Sequence, residues 1–318
     1  MNPGLSIVVP IYNETENIKP LYEELVEVFN KVNLDWEVIF VDDGSKDDSL
    51  ELLTGLAKQD DRVKVISFRR NFGQTAAMTA GFDHARGDVI VPMDGDLQND
   101  PADIPKLLGK MDEGFDVVSG WRKDRQDKFI GRRLPSVIAN RLISYMTGVS
   151  LHDYGCTLKA YRRDVLQSIN LYGELHRFVP ALASQAGGKV TEIAVNHRAR
   201  IAGESKYGID RTQRVILDLI TVKFLLKYST RPLQLFGKWS IFSFLASGAT
   251  GLTCLYMKFF EGLSLNRNPL TVLTAFLLFA GVQFICLGLL GELMTRTYHE
   301  AQNKSIYAVR ETCNLDAD

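Results

Sequence analysis

The sequence predicts an α/β protein built on a mainly parallel sheet and followed by a hairpin of two long apolar helices. Short apolar runs alternate with amphipathic stretches from Leu5 to Val118, and two charge-free runs, Trp239–Met257 and Pro269–Gly291, lie toward the C-terminus. Acidic clusters at the ends of the apolar runs indicate where the chemistry gathers.

Leu5–Val9 is a strand-length apolar run, and Asn13 opens a segment with Ile18, Leu21, Tyr22, Leu25, Val28 and Phe29 at helical spacing. Trp36–Val41 reads as a second buried strand ending in Asp42-Asp43-Gly44-Ser45, followed by a short helix with Leu50, Leu53 and Leu56. Val63–Phe68 is the third strand and Ala76–His84 the third helix. Val89–Met93 is the fourth strand and runs into Asp94-Gly95-Asp96. Asp100-Pro101 caps a helix carrying Ile104, Leu107, Leu108 and Met111, with proline at the favoured first position, and Val117-Val118 is a fifth strand. Strands alternating with helices imply a parallel sheet whose ligands collect at the carboxyl ends of the strands. The aspartate clusters fall at those ends.

Each charge-free C-terminal run is close to the roughly 20 residues a helix needs to cross a hydrocarbon core. The connector Lys258–Asn268 is short and polar enough for a hairpin. Arg211, Arg214, Lys223, Lys227, Arg231 and Lys238 precede the first run, and Arg296, Lys304 and Arg310 follow the second, whereas the connector offers only Lys258 and Arg267. The positive-inside rule therefore puts both flanks in the cytoplasm. Thr212–Tyr228 mixes Val215, Ile216, Leu219, Ile220 and Phe224 with basic residues and reads as an interfacial amphipathic helix lying against anionic lipid. The expected organisation is a catalytic domain over 1–208, a juxtamembrane helix over 209–231, two transmembrane helices over 232–295 and a cytoplasmic tail over 296–318.

Other classes lose their support. In 318 residues the formal net charge is −1, so no basic field argues for nucleic acid. The cysteines, Cys156, Cys254, Cys286 and Cys313, form no CxxC pair, which argues against a zinc site or a disulfide framework. The N-terminus has no basic region followed by an apolar signal core. No GxGxxG follows the first strand and no GxxxxGK[ST] occurs, so dehydrogenase and P-loop readings lack their main motif.

Asp94-Gly95-Asp96 is the sharpest local signal. Two carboxylates one residue apart, hinged on glycine at a strand end, can share a hard cation, and Mg²⁺ prefers one or two carboxylates plus phosphate oxygens. Three further motifs accompany it at strand ends: Val9-Pro10-Ile11-Tyr12-Asn13-Glu14, Val41-Asp42-Asp43-Gly44-Ser45 and Arg69-Arg70-Asn71-Phe72-Gly73, with Leu97-Gln98 extending the fourth. In these segments, in this order and spacing, the chain resembles family 2 glycosyltransferases of the GT-A fold. The resemblance covers about Leu5 to Gly208, and with the C-terminal hairpin it extends to bacterial polyisoprenyl-phosphate glycosyltransferases, relatives of dolichol-phosphate mannose synthase.

The resemblance implies roles for individual residues. Pro10, Tyr12, Glu14, Asp42 and Asp43 match positions that hold the base and ribose of the nucleotide. Asp94 and Asp96 match the metal and diphosphate positions, with Gln98 close to the metal, so Mg²⁺ or Mn²⁺ is the expected cofactor. Arg122, in Ser119-Gly120-Trp121-Arg122, Arg132 and Ser136, in Gly131–Ser136, and Lys206, in Gly203–Gly208, lie in segments that bind the donor diphosphate and the acceptor phosphate. Arginine suits such oxyanions because its planar fork donates two parallel hydrogen bonds. Asp153, in His152-Asp153-Tyr154-Gly155-Cys156, matches an acidic position near the acceptor, as general base or as organiser of the acceptor loop. A phosphate monoester has a second pKa near 6 and is largely dianionic at neutral pH, so aiming matters more than proton removal.

The expected reaction is a single inverting displacement in which a polyisoprenyl phosphate attacks a nucleotide-sugar. UDP-glucose and undecaprenyl phosphate are the expected substrates, and the expected location is the bacterial inner membrane with the catalytic domain cytoplasmic. A homo-oligomer is left open. Two rivals remain: a processive polysaccharide synthase, whose usual Q-x-x-R-W segment is missing here, and a catalytically silent membrane scaffold on the same fold.

Overall fold

The computed structural model describes residues 3–32, 34–123, 140–141, 143–144, 147–169, 175–198, 232–301 and 307–315. The chain forms two compact units, Met1–Val222 with Ser305–Asp318, and Lys223–Lys304.

The first unit is a layered α/β fold. Its sheet has eight strands in the order β7-β5-β6-β4-β1-β2-β3-β8. The strands are β1 Leu5–Ile11, β2 Trp36–Asp42, β3 Val63–Phe68, β4 Val89–Pro92, β5 Val117–Trp121, β6 Lys159–Arg162, β7 Val190–Ala194 and β8 Val309–Cys313. β1 pairs in parallel with β2 and β4, and β2 with β3. β6 inserts antiparallel between β4 and β5, β7 runs parallel to β5, and β8 runs antiparallel to β3. The sheet is thus mainly parallel, as expected, with two reversed strands.

β1 is buried on both faces because helices cover both. Side chains alternate across a strand, so Leu5, Ile7, Val9 and Ile11 join one core with Ile18, Leu21, Leu25 and Phe29 of α1 (Thr15–Val32). Leu53 and Ala57 of α2 (Ser49–Ala57) and Ile104, Leu107 and Met111 of α4 (Ile104–Asp112) complete that core. α3 (Gln74–His84) lies on the opposite face through small residues, Ala76, Ala77, Ala80 and Gly81. A Cβ at Gly81 would come within 2.2 Å of Val8 Cγ1, so the helix sits this close to the sheet only with glycine there. Asp100 accepts a 3.1 Å hydrogen bond from the Ala102 amide and, with Pro101, opens the turn that feeds α4.

The second unit is an apolar hairpin of helices Pro232–Phe260 and Pro269–Ala301, each long and apolar enough to span a membrane. Its polarity is inverted relative to a water-soluble core. Ser240, Ser243 and Ser247 are buried between the helices, whereas Ile241, Phe242, Leu245, Phe276 and Phe279 face outward. Ser240 donates to the Gly281 carbonyl (2.8 Å), Ser247 to that of Thr274 (2.9 Å), and Thr274 to the Thr250 hydroxyl (2.9 Å). Small and hydroxylated residues at the seam with apolar residues outside suit helices packed in lipid. The expected amphipathic helix over Thr212–Tyr228 lies outside the described residues.

The segment expected to be a tail contains β8. Phe68 aligns with Val309, Ser67 with Glu311 and Val65 with Cys313, so the residues that follow the hairpin form one edge of the sheet. Asn314 fixes the end of this strand by donating to the Ala57 and Val63 carbonyls at 2.6 and 2.9 Å.

Candidate active site

The carboxyl ends of β1 to β5 share one edge of the sheet, and their loops are tied to one another. Asn13 adopts a left-handed conformation (φ 54°); its amide donates to Ser45 Oγ (3.0 Å) and its Oδ1 accepts from the Lys46 amide (2.8 Å). The Glu14 amide donates to Ser49 Oγ (3.1 Å), and Asn17 donates to the Glu14 carboxylate (2.6 Å). The segment Pro10–Glu14 is therefore held against the loop after β2.

Asp42 and Asp43 are both buried. Asp42 accepts from the Ser45 amide and from Ser67 Oγ, each at 3.1 Å. Asp43 accepts from the Phe72 and Gly73 amides at 2.6 and 2.9 Å. Burial pushes the Asp43 carboxyl up, the two amide donors pull the other way, and the charge of Asp42 adds to the rise. Gly44 (φ 68°) makes this junction feasible, since a Cβ there would lie 2.5 Å from the Arg70 carbonyl carbon.

Asp94 and Asp96 follow β4. The Asp94 amide donates to Asn99 Oδ1 (3.0 Å), and its carboxylate accepts from Gln74 Nε2 and Thr157 Oγ1, both at 2.8 Å. Burial raises the Asp94 carboxyl, and the neighbouring Asp96 charge raises it further. Asp96 accepts from the Gln98 amide (3.2 Å). Gly95 fits against β1, where a Cβ would meet Ile11 Cδ1 at 2.6 Å, and Leu97 turns through φ 61°, so the segment makes a tight hinge at the strand end. The Gln98 side chain is 3.4 Å from the Arg198 carbonyl, and Arg198 is anchored by Glu24 (2.7 Å) and Asp100 (2.8 Å).

Arg122 follows β5 and clasps Asp153 with Nε–Oδ2 at 2.7 Å and Nη2–Oδ1 at 3.0 Å. Burial alone would lower the Arg122 pKa, but the hydrogen bonds and charge of Asp153 outweigh it and raise it. The Gly155 amide also donates to Asp153 Oδ1 (3.1 Å), and a Cβ at Gly155 would come to 3.3 Å from Arg122 Nη2. Beneath this loop lies Lys159, 2% exposed, whose ammonium donates to the carbonyls of Tyr154 (3.3 Å) and Cys156. Burial lowers the Lys159 pKa and pushes the Cys156 thiol up to about 11. At the loop's other end the His152 amide donates to Glu192 (2.8 Å), and the His152 ring stacks on Trp121 at 4.4 Å.

The structure brings Pro10, Tyr12, Glu14, Asp42, Asp43, Asp94, Asp96, Gln98, Arg122 and Asp153 to the loops at this edge. Arg132, Ser136 and Lys206 lie outside the described residues. Asp153, read as general base or as organiser of the acceptor loop, engages Arg122 through both carboxylate oxygens. Sequence reasoning missed Gln74, Thr157, Asn99 and Lys159. Gln74 directly follows the Arg69–Gly73 motif, but Thr157 and Lys159 carry no motif and reach the site because β6 lies beside β4.

The pattern described as "Glycosyl transferase family 2" matches residues 6–169, and the pattern described as "GtrB C-terminal hairpin" matches residues 231–297. A dodecaprenyl-phosphate galacturonate synthase of Rhizobium johnstonii is 43% identical over 315 residues, covering 96% of this chain and 92% of that protein. An undecaprenyl-phosphate 4-deoxy-4-formamido-L-arabinose transferase of Salmonella choleraesuis is 38% identical over 311 residues, covering 96% and 93%. Among solved structures, glucosyl-3-phosphoglycerate synthase of Mycobacterium tuberculosis, in complex with Mn²⁺, UDP and phosphoglyceric acid, superposes with a TM-score of 0.55 at 19% identity over 70% of this chain and 78% of its own. Mannosyl-3-phosphoglycerate synthase of Rubrobacter xylanophilus gives a TM-score of 0.53 at 16% identity over 70% and 74%. At such identities these two show the fold alone, which is GT-A. The family pattern spans half of the chain and the two relatives align along nearly all of it, so the chain belongs to the family 2 glycosyltransferases and is a polyprenyl-phosphate sugar transferase with a GtrB-type membrane hairpin.

Proposed function

We propose that this enzyme moves one sugar from a nucleoside diphosphate, UDP in our reading, onto undecaprenyl phosphate or a similar polyisoprenyl phosphate by a single inverting displacement. The observation that carries this is the convergence, at one sheet edge, of the Asp94–Asp96 pair, the Arg122–Asp153 pair and the buried Asp42–Asp43 carboxylates. Pro10, Tyr12, Glu14, Asp42 and Asp43 hold the base and ribose, where carboxylates accept hydroxyl and base N–H hydrogen bonds.

Asp94 and Asp96 fit a hard cation. Among the described residues no group of three or more His, Cys, Asp or Glu side chains offers an all-protein cage. Two carboxylates suffice for Mg²⁺ or Mn²⁺ when phosphate oxygens complete the shell. Gln74 and Thr157 donate one hydrogen bond each to Asp94, which leaves lone pairs on both oxygens. Bound there, the cation would offset the charge that grows on the departing nucleoside diphosphate. Gln98 stays close by through its Asp96 contact.

Arg122 supplies a guanidinium that remains charged at every working pH, and Asp153 aims it. Arg132, Ser136 and Lys206 hold the acceptor phosphate. That phosphate is already largely dianionic, so the protein's contribution is orientation and charge stabilisation. The catalytic unit lies on the cytoplasmic face of the inner membrane, as the basic flanks of the hairpin indicate. The return of the chain as β8 supports an even number of crossings, because one sheet contains residues from before and after both apolar helices.

The sugar is the open variable. Sequence reading points to glucose, while the two relatives named above carry galacturonate and formamido-arabinose in their names. Purified enzyme incubated with undecaprenyl phosphate and labelled UDP-glucose, UDP-galacturonate or UDP-4-deoxy-4-formamido-arabinose identifies the donor by which label enters the organic phase. Label from none of them would refute all three of these donors.

A further inference from the structure

The residues that follow the hairpin reach the candidate donor pocket through a short series of contacts. The Tyr307 ring stacks on Phe68, the last residue of β3, with centroids 5.2 Å apart at 16°. Phe68 in turn meets Phe72 edge to face at 5.6 Å. The amide of Phe72 is one of the two donors held by Asp43. Arg69 donates its amide to the Ala308 carbonyl (3.2 Å), so the first residue of the Arg69–Gly73 loop is hydrogen-bonded directly to the returning segment. Tyr307 also donates its hydroxyl to Asp83 (2.8 Å) near the end of α3, the helix whose first residue, Gln74, holds Asp94.

We propose that Tyr307 is a positioning residue for nucleotide-sugar binding: by clamping Phe68 and α3 it fixes the Arg69–Gly73 loop on Asp43, so that the donor pocket is complete only once the chain has returned from the membrane. The segment does not touch substrate. It acts by keeping the loop from relaxing away from a buried carboxylate that needs its amide donors. A buried carboxylate deprived of such partners bears its full desolvation penalty, so the loop and the carboxylate are held together. The inference rests on the reading of Asp42 and Asp43 as donor-pocket carboxylates.

The test uses the full-length enzyme in lipid nanodiscs, with steady-state kinetics for each substrate and thermal unfolding of each variant. Tyr307→Ala removes the ring stack and is expected to raise the donor KM about three- to tenfold, the range that corresponds to losing one aromatic pair, with the acceptor KM unchanged. Tyr307→Phe keeps the stack but loses the hydrogen bond to Asp83, and is expected to raise the donor KM by less than Tyr307→Ala. Asn314→Ala loosens the far end of β8 without touching the stack and is expected to leave the donor KM unaltered. Should Tyr307→Ala fail to fold, Tyr307→Leu takes its place under the same criteria. An unchanged donor KM in Tyr307→Ala, or donor and acceptor KM rising together, overturns the proposal. Asp43→Asn, run in parallel, separates the two readings. If it raises the donor KM and Tyr307→Ala does not, the coupling alone is refuted; if it leaves the donor KM unchanged, the pocket is misassigned and the coupling falls with it.

Discussion

Arg122 and Asp153 form a two-point ion pair, Nε to Oδ2 at 2.7 Å and Nη2 to Oδ1 at 3.0 Å, with 14% and 4% of their side chains exposed. A carboxylate held this way at both oxygens is poorly placed to collect a proton. Breaking one partner of a buried pair typically costs about 3–5 kcal/mol, because the other charge is left uncompensated. Asp153→Asn is therefore expected to lower turnover by at least about tenfold at every pH, with a pH–rate profile parallel to wild type. Recovery of the mutant at high pH would identify Asp153 as a general base instead.

Chelation is expected to abolish activity, and Mg²⁺ or Mn²⁺ to restore it. Asp96→Asn should cut turnover severely without unfolding the protein. Thr157→Val removes one donor from the Asp94 carboxylate. A hydrogen bond to a charged group is worth about 1.5–3 kcal/mol, so turnover should fall roughly ten- to a hundredfold. Full activity in chelator would refute the metal assignment, and a Thr157→Val enzyme with wild-type turnover would show that Asp94 needs no support from β6.

Lys206→Ala is expected to raise the acceptor KM by about one to two orders of magnitude, the loss of one charge-assisted contact, while donor binding stays as it was. Titrating polyprenyl phosphate at saturating donor measures this directly. Unchanged acceptor kinetics would remove Lys206 from the phosphate clamp.

Asp60 ties the α2–β3 connection together, taking hydrogen bonds from Arg62 Nε (3.0 Å), Arg62 Nη2 (2.7 Å) and Tyr22 Oη (2.5 Å). Burial opposes its ionisation, but these partners outweigh burial and hold the carboxyl at about 2. A depressed carboxyl stabilises the fold above its unfolded pKa of about 4. That contribution is lost as pH falls toward 2. Asp60→Asn should accordingly lower the melting temperature at pH 6, with the gap to wild type closing between about pH 4 and pH 2. A gap that persists to pH 2 would contradict the pairing.

Much of this architecture is legible in the sequence because β1 to β4 are fully or nearly continuous apolar runs that stop at polar motifs. Leu5–Ile11 and Trp36–Asp42 are buried along almost their whole length, the pattern of strands covered on both faces. β6, β7 and β8 escape the same reading for physical reasons. Lys159–Arg162 carries charges at both ends, and its lysine is buried only because backbone carbonyls receive the ammonium. Val190–Ala194 and Val309–Cys313 have no fully buried position, so their place is set by backbone pairing to an existing strand rather than by apolar pattern. Within the site, ionisable residues at strand ends announce themselves, whereas Gln74 and Thr157 are neutral donors whose partner, Asp94, lies 20 and 63 residues away in the chain. The Arg122–Asp153 pairing spans 31 residues and depends on how β5, β6 and β7 assemble.

The most direct test of the central claim is the identity and anomeric configuration of the lipid product, read by mass spectrometry and NMR after reaction of purified enzyme with an α-linked nucleotide-sugar and undecaprenyl phosphate. A single inverting displacement predicts one sugar per lipid phosphate, all of it β-linked. A polymeric glycan, or an α-linked product, would contradict the account.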